Sequence, residues 1–78
     1  MARLRLFAQA RDCAGTGEAT LGGLTVGDVL DAAVERFGTR LADVIAFSAI
    51  WLNGEPARRE MPVGDDDEVA VLPPVSGG

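Results

Sequence analysis

Residues Thr25 to Gly38 carry one complete helix signature, and it limits what the rest of the chain can become. Val26, Val29, Leu30, Ala33, Val34 and Phe37 recur at helical spacing, with Asp28, Asp31, Glu35 and Arg36 on the other side. Thr25 stands at the N-cap with Asp28 three residues later, a near relative of the capping box. Gly38 stands where a left-handed residue commonly ends a helix. A single amphipathic helix has one apolar stripe, and a second layer must cover it. In a chain of 78 residues, that layer has to come from the segments on either side.

Those segments read as strands. Over residues 3–8, Leu4, Leu6 and Ala8 face one way while Arg3, Arg5 and Phe7 face the other. Glu18–Leu21 is a weaker strand closed by Gly22-Gly23, and the polar stretch Gln9 to Gly17 between them reads as a loop. Arg40–Ile45 suggests a short turn of helix. Ala49-Ile50-Trp51-Leu52 is apolar throughout, the pattern of a strand inside a sheet, which places Trp51 in the core. Asn53-Gly54 signals the turn that follows. Ala57–Met61 reads as a short edge strand ended by Pro62. The last strand is Glu68–Leu72, with Val69 and Val71 on one face and Ala70 and Leu72 on the other.

Strand, strand, helix, strand, short strand, strand is an α+β order. It predicts a mixed sheet covered on one face by one main helix, with the first and last strands parallel at its centre. This is the β-grasp, or ubiquitin-like, arrangement. The expected core is Leu4, Leu6, Val26, Leu30, Val34, Phe37, Ile50, Trp51, Val69 and Val71. Residues 1–72 form the domain and residues 73–78 an extended C-terminal tail.

Composition removes several functions. No run of about 18 apolar residues is present to span a membrane. A net charge of −5 leaves no basic patch for nucleic acid. The single cysteine, Cys13, has no partner for an internal disulfide, which points to the cytoplasm. There is no histidine, no nucleophile–base pair and no metal-ligand cluster; Asp65-Asp66-Asp67-Glu68 reads as a solvated turn, since consecutive carboxylates rarely converge on one ion. All seven cations are arginine.

The most specific chemical feature is the ending. Pro73 and Pro74 fix φ at the root of the tail, and Val75-Ser76 leads to Gly77-Gly78. A diglycine stem without side chains passes through channels closed to other residues. It suits a carboxylate presented to another protein's active site. Gly-Gly alone is shared by ubiquitin-like modifiers and by the sulfur carrier of thiamine synthesis. Phe7-Ala8-x-x-Arg11, the Leu52-Asn53-Gly54 corner and the closing Leu72-Pro73-Pro74-Val75-Ser76-Gly77-Gly78 are narrower. Together they resemble the small subunit of molybdopterin synthase, within the β-grasp sulfur carriers.

That resemblance implies a carrier with no catalytic equipment and no bound cofactor of its own. An E1-like enzyme would spend ATP to adenylate the Gly78 carboxylate. A sulfur donor of the cysteine desulfurase or rhodanese type would then convert it to a thiocarboxylate. The synthase large subunit would hold the pterin precursor and receive the tail (Pro73, Pro74, Val75, Ser76, Gly77, Gly78), in a heterotetramer with two copies of each subunit. Phe7, Leu72 and Pro56 are expected to form an apolar docking patch. Arg11 is equally suited to a partner's carboxylate or to the domain's own acidic surface. Carriers for thiamine, cysteine or tRNA thiolation, and a modifier or interaction module, are the competing readings.

Overall fold

The computed structural model describes residues 1–74. Five strands form one mixed sheet: β1 (Ala2–Leu6), β2 (Glu18–Leu21), β3 (Ala49–Leu52), β4 (Glu55–Pro56) and β5 (Glu68–Leu72). Three helices accompany them: α1 (Ala8–Ala14), α2 (Val26–Phe37) and α3 (Thr39–Ala46). The strand order is β2-β1-β5-β3-β4. β1 and β5 are parallel, with Leu4 level with Val69 and Leu6 with Val71. The remaining pairs are antiparallel. This is the expected β-grasp topology, with the last strand flanked on both sides.

Alternation decides the inner face. Ala2, Leu4 and Leu6 of β1 and Val69 and Val71 of β5 are buried, and they meet Val26, Val29, Leu30 and Ala33 of α2. Leu21 of β2, Ala10 of α1 and Leu41 and Val44 of α3 complete this cluster; Phe37 and Ile50, expected in the core, pack half-buried against it, and Val34, also expected there, is half-buried without joining it. Each fully buried Val or Leu side chain contributes about 1.5–3 kcal/mol through its removal from water.

The start of α2 is fully accounted for. Asp28 N–H donates to Thr25 Oγ1 at 3.1 Å, while the Asp28 carboxylate accepts from Leu24 N–H at 3.1 Å. Val26 N–H donates to the Met61 carbonyl (2.9 Å) and Gly27 N–H to the Arg59 carbonyl (2.8 Å). Helix N–H groups that lack intrahelical partners are thus satisfied by the segment after β4. That segment is therefore a strap across the helix end, and not the edge strand expected over Ala57–Met61. The strand itself is only Glu55–Pro56. Arg59 Nη2 ties the strap down, donating to Asp31 Oδ1 at 2.7 Å and to the Gly27 carbonyl at 3.4 Å.

Three further expectations are corrected. Residues 9–14 of the expected loop belong to helix α1, which is closed by Gly15 in the left-handed region. Ala8 leaves the strand with a φ of 50°, so it starts the helix and does not extend β1. Gly38 has a positive φ of 109°, but its ψ of 163° places it outside the left-handed helical region. It ends α2 and starts α3 at once, in a conformation essentially reserved for glycine.

Candidate docking face at the root of the C-terminal tail

The outer face of the sheet carries no helix, and its side chains sort by charge. Outward from β1 come Arg3 and Arg5, and from β2 Glu18 and Thr20. Arg5 lies 3.7 Å from Glu68 and 3.9 Å from Glu18, with its guanidinium 5.4 Å from the centre of the Phe7 ring. These are surface pairs, individually worth about 0–1 kcal/mol.

Beyond β1 the face turns apolar. Ala70 lies opposite Arg5 on one side and opposite Trp51 on the other, and Trp51 lies opposite Pro56. Leu72 lies opposite Ala49. One register step past the Leu6–Val71 pair, Phe7 is level with Leu72. Trp51 is 36% exposed and Phe7 39%, large apolar areas for a chain this small. Contiguous exposed apolar surface of this kind marks an interaction site.

Phe7 is held there by the backbone. Its N–H donates to the Val71 carbonyl at 3.2 Å, and its extended φ of −120° continues the strand alternation outward. The turn at Ala8 then takes the chain away as α1, leaving the ring part-exposed beside the Arg5 guanidinium. Pro56 is exposed on the edge strand, where a missing N–H costs the ladder nothing. Leu72 is half-buried and ends β5; Pro73 is buried and Pro74 exposed. The tail root therefore emerges from the central strand beside this patch. The expected tail residues Val75, Ser76, Gly77 and Gly78 lie outside the described residues.

The structure thus gathers Phe7, Leu72 and Pro56 onto one face and adds Trp51, Ala49 and Ala70. Trp51 corrects the sequence reading, which placed it in the core: Ile50 is level with Val71 and points inward, so Trp51 must point out. Arg11 lies on α1, exposed and without a carboxylate partner among the described residues.

The acidic turn has separate local tasks for its members. Asp65 accepts from the Met1 ammonium, and that bond with its charge holds the carboxyl below its ordinary range. Asp67 is also depressed, first by the Asn53 amide and then by Gly64 N–H, which it accepts at 3.0 and 2.7 Å. No cluster of three or more metal-ligating side chains occurs among the described residues. A depression of about 420 Å³ lies at α1 and the α2–α3 junction, lined by Asp12, Cys13, Phe37, Gly38, Thr39 and Arg40. No described helix is long and apolar enough to cross a membrane.

Residues 4–78 match the ThiS family. The chain belongs to that family. This ThiS-family chain is 35% identical over 79 residues to the molybdopterin synthase sulfur carrier subunit of Arabidopsis thaliana, covering 97% of this chain and 81% of that protein. Among solved structures, small archaeal modifier protein 1 from Methanosarcina acetivorans superposes with a TM-score of 0.87 at 34% identity, covering 99% of this chain and 95% of the other. SAMP1 from Haloferax volcanii gives 0.83 at 32% identity, covering 99% and 98%. The ThiS-family fold, a ubiquitin-like β-grasp sheet, is thereby shared with carriers and modifiers alike.

Proposed function

We propose that this chain is the sulfur carrier of a molybdopterin synthase. The observation that carries the reading is the position of the tail root, at the end of the central strand and beside the Phe7–Leu72–Trp51–Pro56 surface. A partner that grips this patch holds the chain at the root from which residues 75–78 follow. The likeness to the Arabidopsis carrier subunit supports the same pathway.

The chemistry then follows from the terminus. A carboxylate is a poor electrophile, because its departing oxygen leaves badly. An activating enzyme transfers AMP from ATP to the Gly78 carboxylate and releases pyrophosphate. The outer sulfur of the donor's persulfide attacks the acyl carbon and AMP departs; a second thiol then cleaves the S–S bond of the resulting acyl disulfide, forming a disulfide with the donor's cysteine and leaving the thiocarboxylate. Its sulfur, nucleophilic at neutral pH, displaces an oxygen leaving group of the pterin precursor held by the large subunit, and water then cleaves the acyl carbon–sulfur bond, leaving sulfur on the pterin and restoring the Gly78 carboxylate. This chain supplies the docking face and the sulfur, working in the cytoplasm within the heterotetramer.

The experiment is intact-mass measurement after incubation with ATP, an activating enzyme and a sulfur source. Exchange of one oxygen for one sulfur is expected, and a variant with one residue added after Gly78 should stay unchanged with its fold intact. Wild-type protein that remains unmodified refutes the reading. The likeness to small archaeal modifier protein 1 favours a second reading, in which the activated terminus is joined to lysines of other proteins. Covalent protein conjugates in place of the sulfur exchange would select it.

A further inference from the structure

All seven basic side chains are guanidinium groups, at Arg3, Arg5, Arg11, Arg36, Arg40, Arg58 and Arg59. The structure accounts for this choice at only some of them. Arg59 uses one nitrogen on two acceptors, Arg58 lies 2.9 Å from Glu60, Arg5 contacts two carboxylates and a ring, and Arg36 lies over Phe37. Planar, forked or stacked geometry of that kind favours arginine over lysine. Arg3, Arg11 and Arg40 are exposed, and among the described residues none has a carboxylate or aromatic partner. At these positions the fold would accept an ammonium group equally well.

We infer that arginine is used throughout to keep side-chain amines away from the activated C-terminus, so that one carrier molecule cannot acylate another. The inference rests on the proposed adenylation. In the reaction avoided, a neutral lysine amine attacks the Gly78 acyl carbon of a second copy. The C–O bond to AMP breaks, a C–N bond forms, AMP leaves with the electron pair, and the nitrogen gives up a proton to solvent. The product is an amide that no later sulfur donor reverses. A guanidinium stays protonated at neutral pH and does not react in this way. The α-ammonium group of Met1 is ion-paired with Asp65, at the end of the parallel β1–β5 pair opposite to Pro73.

The test uses Arg36→Lys and Arg40→Lys, both exposed and outside the docking face. Each variant and the wild type are incubated with ATP and the activating enzyme without a sulfur source. Pyrophosphate release measures activation, and intact mass after hydroxylamine treatment measures amide-linked dimers. The expected result is unchanged pyrophosphate release, with at least a tenfold excess of dimer in one or both lysine variants. Normal activation without added dimer overturns the inference, as does an equal yield from wild type. Absence of pyrophosphate release from wild type overturns the activation reading, and the inference falls with it.

Discussion

Asn53 and Asp67 lock the turn after β3 to the start of β5. The Asn53 amide donates to Asp67 Oδ1 at 3.0 Å, and Asn53 Oδ1 accepts from Glu68 N–H at 2.9 Å. The Asn53 N–H in turn donates to the Glu68 carbonyl at 2.9 Å. One side chain therefore serves both the last residue before β5 and the first residue in it, from a left-handed backbone (φ 52°) that asparagine tolerates.

Replacing Asn53 by alanine removes both side-chain bonds and leaves an unfavourable φ. The melting temperature is expected to fall by about 5 °C or more. Asn53→Gly, which accepts the backbone but not the bonds, should lie between alanine and wild type. Thermal denaturation of the three proteins checks the order.

Acid should weaken this lock in a defined direction. The Asp67 carboxyl is depressed below its ordinary value of 3.8, chiefly by the Asn53 amide. The unfolded chain therefore binds the proton first as pH falls, so the contribution is intact above about pH 4 and is lost as pH drops through the lowered folded value. Asp65, held down by the Met1 ammonium, acts in the same sense. Melting temperature plotted against pH should fall below pH 4, with a shallower fall for Asp67→Asn.

Trp51→Ala separates docking from folding. The ring is on the outer face and part-exposed, so its loss should change stability by about 1 kcal/mol or less. A well-packed aromatic anchor contributes about 2–4 kcal/mol to an interface, which corresponds to a Kd for the proposed large-subunit partner weakened about 30-fold or more. Phe7→Asp should weaken the same complex with the fold intact. Calorimetric titration beside a melting curve decides both cases.

Gly38→Ala tests the joint between α2 and α3. At a φ of 109° an L-residue is strained, although a methyl group there would meet nothing within 4 Å. The expected loss of about 1–3 kcal/mol comes from the backbone alone. It should appear as a lower denaturant midpoint at unchanged m value.

The sequence was most legible where local and long-range signals agreed. In α2 the apolar period, the Thr25 cap and Gly38 all marked the same ends. β5 was legible because its alternation survives in the residues. Trp51 was misplaced because Ala49-Ile50-Trp51-Leu52 is apolar on both faces, so only pairing with β5 reveals which side faces out. Helix α1 was hidden by its seven short or polar residues, its single buried member (Ala10) and the lack of a side-chain cap at Phe7. Gly15 was the available clue, as the left-handed stop one residue after Ala14. Ala57–Met61 read as a strand, but its backbone is used elsewhere: the Arg59 and Met61 carbonyls accept from Gly27 and Val26 at the start of α2.

The bracing of β5 by β1 and β3 has a mechanical consequence. A pull along the C-terminal segment loads the best-supported strand lengthwise, so its ladders resist in shear, many bonds at a time. Such a handle can be drawn out of a narrow tunnel repeatedly without unravelling the body to which it is fixed.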